Sequence, residues 1–380
     1  MAKPFDNEQR RAFRHSLRRY VAQQLTPNAN EWDEAGTVPW HVHTDLGQLG
    51  LFGFGVDECY GGLGFDDAFM RADANIELAQ CGATGIAAAV GGRGISVGLL
   101  HRLASETQKQ QLLPAIVSGQ RGSALAITEP SGGSDVANLQ TRARWDGNHF
   151  CLNGSKTFIT GGMSSDHFVV AARTGEAGIA GISLFLVEAD RAGFSRSELG
   201  NKMGWWASDQ ATLFFDDCLL PAANLLGEQH HGFRAIMDNF NNERLAIAAQ
   251  CVGMMMLCLE HCIGYSQERH TFGKPLIKHQ VIRHKIADMS ARTEMVSAYL
   301  DRVCWQMNQG QQAVEQLCKL KFSASKALEF VASEAMQILG GAGYMRGNPV
   351  ERIYREVKIM AIGGGSEEIM RDLAVRQMGL

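Results

Sequence analysis

Apolar positions recur every three or four residues between positions 7 and 24, with Phe13, Leu17, Tyr20 and Val21 on one stripe. That spacing predicts an amphipathic helix ending before Pro27. In "SETQKQQLLPAIVSG", Ser105 stands three residues before Gln108, the reciprocal cap that opens a helix. The Ala-rich "IELAQCGATGIAAAVGG" reads as one buried helix, so residues 1–122 are expected to form a helical domain. From 123 to 226 the pattern changes. "DHFVVAAR", "GISLFLVEA" and "ATLFFDDCLL" are short runs rich in β-branched and aromatic residues. "HFCLNGSKTF" places Asn153-Gly154 between two strand-like runs, which predicts a type I′ hairpin. A middle antiparallel β-barrel or sandwich domain follows from this. From 227 to 380 only Pro275 and Pro349 interrupt long amphipathic patterns, predicting helices near 232–264, 276–307, 311–339 and 349–377. These suit an antiparallel four-helix bundle. The second helix would span ~45 Å, a length that buries faces against neighbours, often across subunits. The fold class is α+β and multidomain.

Composition narrows the function classes. A chain of 380 residues with 45% hydrophobic and 20% charged residues is globular and too long for one ordinary core. Its net charge of −4, with no dense Lys/Arg run, speaks against nucleic acid or a lipid surface and for small molecules and other proteins. The nine cysteines are scattered. "CLEHC" (Cys258, His261, Cys262) has helical spacing but no second ligand pair, so packed thiols are expected and no metal. The opening "MAKPFDNEQRRAFRHSLRRY" contains Asp6 and Glu8 and lacks an apolar core, unlike a secretory signal. The longest apolar stretch, "LAIAAQCVGMMMLCLE", reads as shorter than the roughly 18 residues of a membrane span. Cytoplasm is the expected compartment, ahead of the mitochondrial matrix.

Two Gly-rich stretches, "GGRGISVG" (91–98) and "GGAGYMRG" (340–347), imitate dinucleotide fingerprints. Both follow helix-like rather than strand-like sequence, which argues against a nicotinamide Rossmann domain. "ITEPSGGSD" (127–135) and "KTFITGG" (156–162) set hydroxyls beside turn residues at the edges of the β-domain, where a rigid sheet can support binding loops. Ordinary turn chemistry explains either one equally well.

Taken in order, "ITEPSGGSD", "LNGSKTFITGG", "NERLAIAAQ", "SQERHTFGKPLIKHQ", "QILGGAGY" and "GGGSEEIM" resemble the acyl-CoA dehydrogenase family over essentially the whole chain. That resemblance implies an FAD flavoprotein that desaturates an acyl-CoA thioester between its α and β carbons. A base takes the α-proton while a hydride leaves the β-carbon for flavin N5. By similarity, Leu125, Ile127, Thr128 and Ser134 border the flavin, with Ser134 near substrate or pyrophosphate, and Phe158 and Thr160 are its aromatic and hydroxyl partners. Arg269 resembles the arginine that meets FAD pyrophosphate, with Phe272 and Gln280 on the adenosine side. Gln337, Gly340 and Gly341 resemble the motif that approaches a neighbouring subunit's FAD, and Ser366 and Glu368 the positions that close this site. Electron-transferring flavoprotein is the implied acceptor and a homotetramer the implied assembly.

Most members of that family carry the base in a sequence like "YEGT" near the C-terminus. Here Gly363 and Gly364 stand where the tyrosine and glutamate would be, and Glu367 and Glu368 fall in the part of the motif expected to face FAD. A minority of members, including isovaleryl-CoA and long-chain acyl-CoA dehydrogenases, place the base in an "ERL" sequence on a C-terminal-domain helix. This chain reads "FNNERLAIAAQ", which makes Glu243 the candidate base and Arg244, on another helix face, a CoA contact. Asn241, Ser134, Gly363 and Gly365 join the expected substrate set, and Gly364 supplies a backbone N–H for the thioester oxygen. With Gly363 and Gly364 small, vacant volume is expected beside the reacting carbons, favouring branched or bulkier medium and long chains, and "GGRGISVG" is expected to add room deeper in. Trp205 and Trp206 are expected to pack, or else to shape the CoA entrance. A flavin oxidase, a carrier-protein thioester dehydrogenase and a non-catalytic acyl-CoA binder remain alternatives at this point.

Overall fold

The computed structural model describes residues 5–380, so the first four positions of the expected N-terminal domain lie outside the described residues. Seven α-helices come first: α1 (Glu8–Tyr20), α2 (Ala29–Ala35), α3 (Trp40–Gln48), α4 (Ala68–Ala79), α5 (Thr84–Gly92), α6 (Val97–Leu103) and α7 (Glu106–Val117). The α7 start carries the expected cap, Ser105 and Gln108 exchanging side-chain and backbone bonds. The Ala-rich stretch is two helices instead of one. Gly82 turns left-handed (φ +72°) between α4 and α5, and a β-carbon there would come within 2.7 Å of Pro349.

The middle region forms β1 (Ser123–Ala126), β2 (Arg142–Trp145), β3 (His149–Thr160), β4 (His167–Arg173), β5 (Ile182–Glu188), β6 (Phe194–Glu198), β7 (Gln210–Pro221) and β8 (Leu225–Leu226). The sheet order is β6-β7-β3-β2-β4-β5-β8, with β1 on β4. Pairing is antiparallel except at β4, which runs parallel to both β1 and β2. Asn153-Gly154 is not a hairpin: it lies inside the twelve-residue β3, at a register slip between Leu152 and Gly154. Gly154 (φ +139°) is needed there because a β-carbon would meet Thr141 at 2.7 Å, and Asn153 bonds Asp217 across the sheet. A second slip, between Lys156 and Ile159, brackets Phe158, which adopts φ +57° and is 65% exposed.

The last region comprises α8 (Gly232–Glu268), the two short strands β9 (His270–Thr271) and β10 (Lys274–Pro275), then α9 (Gln280–Asn308), α10 (Val314–Leu339), α11 (Pro349–Ile362) and α12 (Glu367–Gln377). The fourth expected helix is therefore two, broken at Gly363–Ser366. The apolar stretch in α8 is longer than expected: by length and composition this helix suffices to cross a membrane. Most of its apolar window is buried, however, in one core with α4, α9, α10 and α11, where Leu245, Val252, Met255 and Cys258 meet Phe69, Ile76, Leu300 and Leu328. Seven of the nine cysteines are buried, Cys258 and Cys262 among them, while His261 between them is exposed.

Candidate active site

The break between α11 and α12 faces α8. Gly364 has φ +65° and Gly365 φ +100°, both in the region that favours glycine. Lys321, fully buried on α10, donates to the carbonyls of Ala361 (3.2 Å) and Gly365 (2.6 Å) and so fixes the loop from behind. Ser366 caps α12 through the Ile369 N–H. Beyond the cap the two glutamates part. Glu368 is exposed, whereas Glu367 is buried, accepts from Ser325 at 3.2 Å and pairs with Arg371 at 3.3 Å. Helical periodicity turns adjacent residues about 100° apart, which is why the two glutamates meet different surroundings.

A β-carbon on Gly364 would lie 2.6 Å from Cδ1 of Ile247. Ile247 follows Glu243 by one helical turn on the same face of α8, so the fold brings Gly364 and Glu243 to one cleft. It also corrects the expectation of vacant volume, because Ile247 fills part of the space beside Gly364. Gly363 is the more open position, its β-carbon meeting only the Ile359 carbonyl at 3.3 Å. Of the glycines in "GGRGISVG", Gly92 is filled by the Thr160 methyl (2.5 Å) and Gly94 by the Phe52 ring (2.7 Å), whereas a β-carbon on Gly91 would meet nothing within 4 Å and one on Gly98 only Asn239 at 3.7 Å.

Glu243 keeps part of its surface open, yet burial pushes its carboxyl up to about 7, against the opposing pulls of the Asn239 hydrogen bond and Arg244. Asn239 Nδ2 donates to Glu243 Oε1 at 3.2 Å and to the Ile95 carbonyl at 3.1 Å. Arg244 is 4% exposed, donates through Nη1 to Asn241 Oδ1 at 2.9 Å, and has a buried Nε with no partner among the described residues. A desolvated guanidinium with a spare donor is suited to hold an oxygen-rich ligand.

On the sheet side, Leu125 is half-buried on β1, Ile127 is buried, Thr128 is half-buried and Ser134 is exposed. A buried pair behind them ties both hydroxyl-bearing loops together. Lys156 donates to Glu129 Oε1 (2.8 Å) and to the Ile127 carbonyl (3.0 Å), and Glu129 also accepts the N–H groups of Gln140 and Thr141. Burial alone would raise the Glu129 carboxyl; Lys156 and these donors outweigh it and hold it well below its usual value. The Thr128 carbonyl accepts the Thr157 N–H at 2.8 Å, setting Thr128 beside Phe158 and Thr160.

A second constellation surrounds the β9–β10 hairpin, whose turn residues Phe272 and Gly273 both have positive φ (51° and 76°), the requirement of a type I′ turn. Phe272 is 94% exposed, and Arg269 and Gln280 flank it on the surface. Gln337, Gly340 and Gly341 are exposed at the end of α10. No hydrogen bond among the described residues joins these two groups to the Glu243 cleft. Trp205 and Trp206 pack: Trp205 Nε1 donates to Thr84 at 2.9 Å, and the Trp206 ring lies between Arg346 (4.4 Å) and Arg355 (3.9 Å).

Sequence reasoning missed Asn239, Ile247, Lys321 and the Glu129–Lys156 pair. The one available signal for Lys321 was a charge set among apolar positions in "KLKFSASKALEF".

Comparison with known proteins covers the same three regions. Residues 7–120, 124–218 and 230–379 match the N-terminal, middle and C-terminal domains of acyl-CoA dehydrogenase. The long-chain specific acyl-CoA dehydrogenase of Sus scrofa is 34% identical over 370 residues, 96% of this chain and 85% of that one. The isovaleryl-CoA dehydrogenase of Solanum tuberosum is 32% identical over 385 residues, 98% of this chain and 91% of that one. Among solved structures, an acyl-CoA dehydrogenase from Mycobacterium smegmatis superposes with a TM-score of 0.96 at 36% identity, covering 99% of each chain. A glutaryl-CoA dehydrogenase from the same organism, in complex with FADH2, gives 0.93 at 28% identity, covering 98% of this chain and 95% of that one.

Proposed function

The chain belongs to the acyl-CoA dehydrogenase family, and we propose that Glu243 is the base with which it takes the α-proton of an acyl-CoA thioester. The observation that carries this reading is a desolvated carboxyl at about 7 facing a loop whose own residues at 363–365 are all glycine. A base titrating near neutral pH is ionised often enough to act and basic enough to accept. The Gly364 N–H donates to no group among the described residues, which supports its role as donor to the thioester oxygen, where charge develops as the α-proton leaves. Arg244 and Asn241 hold the substrate and Gly363 leaves it room, whereas the space beside Gly365 is filled by the Met370 methyl, 2.5 Å from an ideal β-carbon, so Gly365 would act through its backbone alone.

The family is FAD-dependent, and the residues present fit that group. Phe158 is exposed in a left-handed conformation beside Thr128 and Thr160, and Arg269 has no ion-pair partner among the described residues. When bound, FAD supplies the acceptor for the β-hydride. Leu125, Ile127, Thr128, Ser134, Phe158 and Thr160 would hold its flavin end, Arg269, Phe272 and Gln280 its pyrophosphate and adenosine end, and Gln337, Gly340, Gly341, Ser366 and Glu368 would complete the site. The exposure of Phe272, Tyr344 and Met345 supports a homotetramer in which a neighbouring subunit covers them. Electron-transferring flavoprotein is the proposed acceptor. Branched or medium-to-long acyl chains are the proposed substrates, within the limit Ile247 sets. Anaerobic addition of an acyl-CoA panel tests the reading: substrates bleach the yellow flavin of the native protein, and Glu243→Gln retains flavin but does not bleach. Bleaching by that variant at the native rate would remove Glu243 as the base.

A further inference from the structure

We propose that Asn239 is a positioning residue for the base, its amide holding one oxygen of Glu243 and registering that carboxylate against the segment after α5. The proposal rests on the assignment of Glu243 made above. Asn239 precedes Glu243 by one turn of α8 and is buried. Its amide orientation is set by chemistry: the Ile95 carbonyl can only accept, so the atom 3.1 Å away is Nδ2. That nitrogen carries two hydrogens, one for Ile95 and one for Glu243 Oε1. Oε2 accepts no hydrogen bond among the described residues and stays available for the proton.

The same short stretch of backbone serves the other half of the reaction. Three residues before Ile95, Gly92 packs directly on Thr160, the hydroxyl assigned to the flavin. The proton-accepting carboxylate and the flavin-facing hydroxyl are thus both indexed to Gly92–Ile95, one through Asn239 and one through a missing side chain.

Asn239 also acts on ionisation. A donor to a carboxylate favours its charged form, so it offsets part of the burial that raises Glu243. The other charged group bearing on Glu243 is Arg244. Cys318 and Lys321 of α10 act on Arg244 instead, the facing loop presents glycines, and Ile247 on the next turn is apolar.

The test is the pH profile of flavin reduction in the holoenzyme, followed anaerobically with one bleaching acyl-CoA. Native enzyme is expected to lose rate below about pH 7. Asn239→Leu, of similar shape but without a donor, should move that limb up by about one unit. At pH 7 the ionised fraction then falls from about one half to about one eleventh, a roughly fivefold loss, with rates converging above pH 9. Asn239→Asp, which sets a second carboxyl against the first, should move the limb at least as far and serves if the leucine variant does not fold. An unmoved limb in a folded variant, or an equal loss at every pH, overturns the proposal. That result differs from failure of the base assignment, which would appear as near-native reduction by Glu243→Gln.

Discussion

Ile247 of α8 occupies the space that a side chain on Gly364 would need, its Cδ1 lying 2.6 Å from the ideal β-carbon. The cleft therefore has one free wall, at Gly363, and one wall set by an isoleucine. Moving the carboxylate from α8 to the loop is consequently a three-residue problem. Gly364→Glu in a Glu243→Gly background is expected to stay nearly inactive, because the new side chain meets Ile247 on a left-handed backbone that costs about 1 kcal/mol for a non-glycine residue. Adding Ile247→Ala should restore measurable flavin bleaching, and equal inactivity of the double and triple variants in folded, FAD-loaded protein would contradict the geometry.

Ile247→Ala alone should widen the acyl site. The expected result is a gain of about tenfold in kcat/KM for thioesters branched at the α or β carbon relative to straight chains, the scale of one or two methylenes in an apolar pocket. Turnover of isobutyryl-, isovaleryl- and butyryl-CoA measures it.

The Glu243 carboxyl, raised to about 7, must be ionised to accept a proton. Rate should accordingly rise with pH through about 7 and level off above it. Glu243→Gln should lower turnover by roughly 10²–10⁴-fold and abolish that limb, as read by stopped-flow reduction across pH 5.5–9.

Breaking the buried Lys156–Glu129 pair from one side leaves an uncompensated charge under both loops proposed to hold the flavin. Lys156→Met should cost about 3–5 kcal/mol and release FAD, while Lys156→Met with Glu129→Gln should regain much of the stability. Denaturant unfolding with flavin content as a second readout distinguishes them.

Arg269 has no carboxylate partner among the described residues, so Arg269→Ala should leave monomer stability within about 0.5 kcal/mol while lowering the flavin-to-protein ratio after gel filtration. Full retention of FAD would remove the arginine from the cofactor site.

Much of this arrangement was legible because it is carried by period and motif. The helix–sheet–helix division follows from a change of apolar spacing, and the pairing of a lost glutamate at 364 with "ERL" at 243 is what singles out Glu243 as the proposed base. Local backbone chemistry was harder. Asn153-Gly154 has the favoured hairpin composition, but β3 continues through it because the pairing with β7 absorbs the extra residue as a bulge. The type I′ turn belongs to Phe272-Gly273, where a phenylalanine adopts a positive φ that its composition does not advertise. The breaks at Gly82 and at Gly363–Ser366 were hidden by apolar periods that continue across them. Ile247 and Asn239 gave no signal, since their importance lies in what they touch across the chain.

The proposed base sits in the interior of a 37-residue helix, and the proposed acyl site is bounded both by Ile247, one turn further along that helix, and by a glycine loop pinned by a buried lysine. The carboxylate and one wall of the proposed acyl site thus ride on one helix, and the opposite wall on another piece of backbone. A change in the loop can alter which thioester is admitted without displacing the carboxylate, whereas a change at Ile247 alters the wall carried by the carboxylate's own helix.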